Sequence, residues 1–176
     1  MKVNLIDKHD VVKRQIKEAV RLFFEQRDAV VIHTIIASAH QILIDLGKAK
    51  GIESFVKNTQ VLKGNEIQNF ISLINYPYNF FKHANRDATA KIDIGPLEQF
   101  IQDFVMDAIV MLQRLCGDIP IEAKVYWMWF VSKYPEYFDD CPDDSEIKKM
   151  QEQGLANWDF PTICQFLTFC DVVNEV

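Results

Sequence analysis

Apolar residues recur at every third or fourth position along almost the whole chain, which is the spacing of one face of an α-helix. The clearest stripe lies near the start, where Val12, Ile16 and Phe23 would face a core while Lys13 and Arg21 would face solvent. The same period predicts five long helices, over residues 10–26, 29–50, 65–86, 96–116 and 121–133. Two shorter helices are predicted over residues 146–153 and 161–172.

Residues with strong positional preferences mark the ends of these helices. Asp28 can cap the second helix, and Gly51 can end it. Asn65 can cap the third helix, and Pro96 suits the first turn of the fourth. A turn or a short helix is expected around residues 52–56, in the connector between the second and third helices.

Pro77 stands inside the third predicted helix. Proline removes one backbone hydrogen bond and tends to kink or break a helix. The following segment therefore either continues the helix past a kink or begins a new helix with Pro77 in its first turn. In both cases Asn79 and His83, four residues apart, would share one face.

These elements predict an all-α fold, an antiparallel bundle of four to five helices with a small C-terminal helical cap. A chain of 176 residues that is 49% hydrophobic can bury one core. We expect a single domain over residues 1–176, with the bundle core in residues 10–116 and the fifth helix and cap in residues 117–176. The run 125–131 is apolar nearly all round, which favours burial in the core or at a homodimer interface.

Cysteine usage and hydropathy indicate the expected compartment. No unbroken apolar run reaches the roughly 20 residues that span a bilayer, and the first eight residues lack the apolar region of a signal peptide. The four cysteines show no CxxC or Cys/His zinc spacing. We therefore expect a cytoplasmic protein with free thiols, no membrane partner and no cofactor.

Charge is distributed unevenly along a chain whose net charge is −6. Residues 46–91 carry seven Lys or Arg against three Asp or Glu, whereas residues 92–176 carry five against sixteen. Because affinity for long nucleic acids scales with the phosphates neutralised, the acidic chain disfavours that function. The basic middle could still hold a nucleotide or a short stretch of RNA, and the acidic remainder could dock onto a partner protein.

The densest group of reactive side chains lies in residues 78–87, with the sequence YNFFKHANRD. Histidine transfers protons near neutral pH, and a neighbouring Lys or Arg stabilises negative charge. The candidate catalytic residues, for RNA cleavage through the 2′-hydroxyl, are His83, Asn79 and Arg86. The candidate nucleotide- or RNA-binding residues are Lys82, Asn85 and Tyr78. The alternative is that Asn79 and His83 only satisfy helix ends.

Asn79 and His83, separated by three residues late in a helix, resemble the motif of the HEPN superfamily, the higher eukaryotes and prokaryotes nucleotide-binding domains. Its members are cytoplasmic helical bundles, often dimers. They include ribonucleases of toxin–antitoxin and defence systems and non-catalytic relatives that bind nucleotides or RNA. The resemblance covers residues 10–115 and implies nucleotide or RNA binding, with metal-independent endoribonuclease activity as the catalytic form. Tyr78 stands where the motif has Arg, which disfavours catalysis more than binding because Tyr carries no fixed positive charge.

Two functions from other classes also fit the sequence. One is a metal-dependent bundle hydrolase, since His33 and His40 are two helical turns apart and could join His83 at a metal. The other is a non-enzymatic interaction module of the antitoxin or phage type, because the C-terminal half is acidic.

Overall fold

The computed structural model describes residues 5–58, 63–85, 88–140, 142 and 145–174. These residues form seven α-helices. They are α1 Lys8–Phe24, α2 Ala29–Gly47, α3 Asn65–Lys82, α4 Leu97–Cys116, α5 Ile121–Lys133, α6 Glu146–Glu152 and α7 Phe160–Asn174. Three short 3₁₀ segments are Lys48–Lys50, Pro135–Phe138 and Leu155–Asn157. The described residues form no strand, so the predicted all-α bundle is confirmed.

Capping residues explain where the helices begin. Asp28 caps α2 as predicted, because its side chain accepts from the first free N–H groups of that helix. α1 begins two residues earlier than predicted, since Asp7 and Asp10 form a reciprocal capping box. α3 is preceded by Gly64 at φ 55° rather than capped by Asn65, which lies inside the helix.

α3 passes through Pro77 and continues to Lys82, so the helix does not restart there. His83 follows as the C-cap with extended backbone (φ −132°, ψ 128°), and its N–H donates to the Asn79 carbonyl over 3.1 Å. The prediction that Asn79 and His83 share one helical face is therefore wrong, because α3 ends one residue before His83.

α2 is the central helix of the bundle and packs against α1, α3 and α4. α1 and α2 run antiparallel, as predicted, since a short turn joins them and Gln15 of α1 meets Ser38 of α2. α2 and α3 also run antiparallel, because His33 near the start of α2 packs on Phe81 near the end of α3. α2 and α4 run parallel, because His33 stacks on Phe100 near the start of α4 and Lys50 reaches the Leu115 carbonyl near its end.

The aromatic run of α5 is buried within this chain. Tyr126 and Trp129 pack against Phe23 of α1 with ring centres 5.3 and 5.2 Å apart. The other side of α5 is covered by the C-terminal cap, where Leu155 is buried and Ser132 donates to the Met150 carbonyl. The feature that favoured a homodimer interface is thus satisfied by intrachain packing, and the homodimer stays a prediction.

α3 packs far more loosely than its neighbours. Ile74 is its one buried residue, whereas eleven residues of the similarly long α4 are buried. Cavities flank α3 on both sides of Ile74. We call α3 together with the loop of residues 51–58 the open edge of the bundle.

α2 with the 3₁₀ turn after it, Ala29–Lys50, is long and apolar enough to cross a membrane by length and composition alone. The sequence prediction found no apolar run long enough to span a bilayer, because polar residues interrupt this segment. Its mean hydropathy over an 18-residue window is nevertheless high. In the bundle, α2 buries two of those polar residues, His33 and His40.

Candidate ligand-binding groove

A buried carboxylate fixes the loop of the open edge. Asp107, fully buried in the middle of α4, accepts hydrogen bonds from the Ser54 hydroxyl and from Nε2 of His40, the latter over 2.8 Å. It also accepts the backbone N–H groups of Phe55 and Val56, each over 3.2 Å. Since a carboxylate can only accept, the His40 proton lies on Nε2. Asp107 therefore ties the loop to α2 and α4.

Ser54, His40 and Asp107 share their chemistry with a nucleophilic triad but not its geometry. In such a triad the imidazole lies between the hydroxyl and the carboxylate and uses a different nitrogen for each. Here Nε2 of His40 faces both groups, and Ser54 donates directly to Asp107. The Ser54 oxygen also accepts the Lys57 N–H over 2.9 Å. The cluster is a clamp for the loop rather than an activated serine.

A groove of about 540 Å³ lies between α2, α3 and the loop of residues 51–58, and we call it the α2–α3 groove. Its volume falls within the roughly 300–1,000 Å³ of small-molecule sites. Its polar lining includes Gln41, Lys48, Glu53, Ser54, Lys57 and Asn75. The clamp on Asp107 therefore also positions one wall of this groove.

Lys57 is a half-buried cation in this groove. Its Nζ lies 6.0 Å from the centre of the Phe104 ring. Among the residues that the structure describes, no carboxylate oxygen approaches this Nζ within the 4.0 Å of an ion pair. Burial lowers the pKa of Lys57, and the more distant charges of Asp107 and Asp45 oppose that shift. An anion bound beside Nζ would offset the desolvation of the ammonium.

The face of α3 that lines the groove continues toward the segment singled out in the sequence. Ile71 and Asn75 line the groove, and Tyr78 and Lys82 follow at helical spacings of three and four residues. The Lys82 Nζ donates to the Tyr78 hydroxyl over 3.0 Å and lies 4.3 Å from the centre of its ring. Two of the predicted binding residues therefore extend a face that already borders a cavity.

The remaining predicted site residues lie beyond that face. Asn79, His83 and Asn85 are exposed at the end of α3 and just after it. They do not line the α2–α3 groove. Arg86, the third catalytic candidate, lies outside the described residues.

The histidines of the metal hypothesis have separate environments. His33 is fully buried among the rings of Phe81, Phe100 and Phe104, and neither of its ring nitrogens has a hydrogen-bond partner among the described residues. Burial lowers the pKa of His33 to about 4, so the ring is neutral at pH 7. His40 is committed to the clamp. Within the described ranges, no three His, Cys, Asp or Glu side chains are grouped to hold a metal ion.

The sequence prediction missed Asp107, Ser54 and Lys57. A signal for Asp107 exists, because this carboxylate interrupts an otherwise apolar stretch of α4 at positions 104–112. Its partners His40 and Ser54 lie 67 and 53 residues away, so spacing along the chain could not connect them. Lys57 has no local signal, since its burial results from the folding of the loop over Phe104.

No protein-family model, curated protein or solved structure matches this chain. Its function must therefore be argued from the geometry of its own residues.

Proposed function

We propose that the α2–α3 groove binds the phosphate of a nucleotide, either free or as part of single-stranded RNA. The observation that carries the proposal is Lys57, a half-buried ammonium that lines the groove without a carboxylate partner among the described residues. Phosphate oxygens are strong acceptors for such a cation, and charge-assisted hydrogen bonds are about twice as strong as neutral ones.

The surroundings of Lys57 favour a nucleotide over inorganic phosphate. Lys48, the residue after α2, lines the same groove, and Lys82 lies on the continuing face of α3. The amide side chains of Gln41 and Asn75 supply both donors and acceptors, which suit the polar edge of a base. Tyr78 adds an aromatic ring on the same face of α3, which suits base stacking. The proposal agrees with the nucleotide or RNA binding that the HEPN resemblance implies.

Titration calorimetry with AMP, ADP, ATP and GTP, together with fluorescence anisotropy of a labelled ten-nucleotide single-stranded RNA, tests the proposal. Lys57→Met keeps the length and apolar body of the side chain and removes the charge, so we expect affinity to fall about tenfold or more. Lys48→Met, at an exposed position, should weaken binding less. Lys124→Gln removes one positive charge from the exposed side of α5 and serves as the matched control.

Each outcome of this experiment is informative. Saturable binding of one probe, weakened by Lys57→Met and not by Lys124→Gln, supports the proposal. Binding of RNA without binding of any mononucleotide assigns the phosphate to a polymer. If no probe binds, or if Lys57→Met and Lys124→Gln behave alike, the proposal is wrong.

A catalytic form of the same function assigns a role to His83. Its side chain is exposed one residue beyond Lys82. An RNA backbone that followed this face of α3 out of the groove would pass close to it. There it could accept a proton from a ribose 2′-hydroxyl. Purified wild type and His83→Ala should then differ in cleavage of a fluorogenic RNA without added metal. Equal or absent cleavage by both proteins would leave binding as the function and remove catalysis.

A further inference from the structure

A second cavity lies on the other side of the loop of residues 51–58. It has a volume of about 590 Å³ and is enclosed by α3, the middle of α4, the end of α5 and the 3₁₀ segment Pro135–Phe138. We call it the aromatic cavity, because six of its lining residues carry rings: Phe55, Phe70, Phe100, Phe130, Tyr137 and Phe138. The loop separates it from the α2–α3 groove, since Phe55 and Val56 line the cavity while Ser54 and Lys57 line the groove.

The rings differ in exposure in a way that defines an inside and a mouth. Phe130 is 2% exposed, whereas Phe55 and Tyr137 are 49% and 59% exposed. Tyr137 lies 6.0 Å from Phe130 and 5.6 Å from Tyr134, measured between ring centres. A ligand with an apolar body would therefore enter past exposed aromatic side chains and bury its surface against the inner ones.

Among the residues that the structure describes, Asp103 is the one charged side chain that lines this cavity. It is half-buried, and burial raises the pKa of its carboxyl, while a hydrogen bond with the Gln99 side chain acts in the opposite direction. No cationic side chain in the described part of the chain lies within 4.0 Å of it. The carboxylate is therefore held in an apolar environment without a compensating positive charge.

We propose that the aromatic cavity binds a small organic ammonium compound, an amine with an apolar body. The ammonium would pair with Asp103, and the ring faces around it would attract the same cation. The apolar body would fill the volume toward Phe130, Met106 and Val110. An anion would be repelled by Asp103, and a neutral apolar molecule would leave the carboxylate desolvated without a cationic partner.

This site is independent of the nucleotide groove in residues and in charge. Asp103 and the aromatic rings do not line the α2–α3 groove, and Lys48 and Lys57 do not line the aromatic cavity. The opposite charges of the two sites predict opposite ligand classes.

Titration calorimetry with tryptamine and with tryptophol tests the assignment. The two probes share an indole ring and chain length and differ in carrying an ammonium or a hydroxyl group. We expect tryptamine to bind about tenfold or more tightly than tryptophol. Asp103→Asn should abolish that preference, while Glu136→Gln, which removes an exposed carboxylate beside Tyr137, should preserve it.

A second variant keeps the test decisive if Asp103→Asn fails to fold. Val110→Trp fills the cavity from α4 without altering its charge, so it should abolish the binding of both probes. The proposal is overturned if tryptamine and tryptophol bind equally, if Asp103→Asn retains the preference, or if Val110→Trp still binds. Failure of tryptamine, phenethylamine and 1-aminoadamantane to bind at up to about 1 mM would also overturn it.

Discussion

The two sides of this bundle differ in whether their partly buried charges have ion-pair partners. On the side formed by α1, α5 and α7, Glu122 is 1% exposed and receives Arg21 at 2.5 Å and Lys17 at 3.4 Å. Both cations also reach Asp171 of α7, at 2.8 and 3.3 Å. Each of these four charged side chains has an oppositely charged partner within the chain, and the ion pairs link α7 to α1 and α5.

Two charges at the cavities beside the open edge are not paired in this way. Lys57 and Asp103 are both half-buried, and neither has an ion-pair partner among the described residues. Both line cavities large enough for a small molecule. Because burying an uncompensated charge costs free energy, such charges are retained where a ligand supplies the partner. The comparison supports a structural role for the paired side and the proposed ligand binding for the other.

The largest expected effect removes Asp107, the buried carboxylate of α4 that holds the loop of the open edge. Asp107→Ala leaves the Ser54 hydroxyl, His40 and two loop N–H groups without their acceptor. We expect the free energy of unfolding to fall by about 3–5 kcal/mol, because several buried donors lose their acceptor at once and each unsatisfied donor costs about 1–3 kcal/mol. Urea denaturation followed by circular dichroism measures this, with the exposed Asp139→Ala as the control. A loss as small as that of the control would show that the clamp is not needed.

Glu122→Ala tests the paired side in the same way. Arg21 and Lys17 keep Asp171 as a partner, so the loss should be smaller, about 2–3 kcal/mol. Amide hydrogen exchange should rise mainly in α7, because the network joins α7 to α1 alongside the apolar packing of Phe160, Ile163 and Leu167. Uniform exchange across all helices would contradict that role.

His33 makes the open edge sensitive to acid. Its pKa is lowered from 6.5 to about 4 in the folded state, so the unfolded chain binds a proton first as the pH falls. Stability should therefore decrease between pH 6.5 and pH 4, by up to about 3 kcal/mol in total.

His33→Leu removes this titration and two unpaired buried nitrogens, so it should flatten the pH dependence of the unfolding free energy. His83→Leu, at an exposed position, is the control and should retain the wild-type profile. A His33→Leu protein that loses stability as steeply as wild type toward pH 4 would contradict the assignment.

The smallest expected effect concerns the unliganded groove. Lys57→Met replaces a half-buried, unpaired ammonium by an apolar group of similar length, so the ligand-free protein should gain up to about 1 kcal/mol. The exposed Lys48→Met should change stability by less. A clear loss of stability in Lys57→Met would mean that the chain itself compensates this charge.

Local signals in the sequence predicted the bundle well. Asp28 and the periodic apolar stripes correctly placed α2, and the run 121–133 matched α5 residue for residue. Caps and periodicity depend on neighbours within a few residues, and such information is present in the chain order.

The candidate site was only partly accessible from the sequence. Lys82 and Tyr78 continue the face that lines the groove. The other predicted residues of that segment, around His83, lie at or past the end of α3 and do not line it. Lys57 and Asp103 become distinctive only through burial, which depends on helices that are remote in sequence. Tertiary packing, rather than residue type, identifies them.

The central claim is that ligands bind at the open edge, and hydrogen–deuterium exchange of the full chain with and without a saturating nucleotide tests it most directly. The account predicts protection within residues 51–58 and 71–82, with α1 and α7 unchanged. Protection centred on α7, or no change in any segment with any nucleotide or the single-stranded RNA, would contradict it.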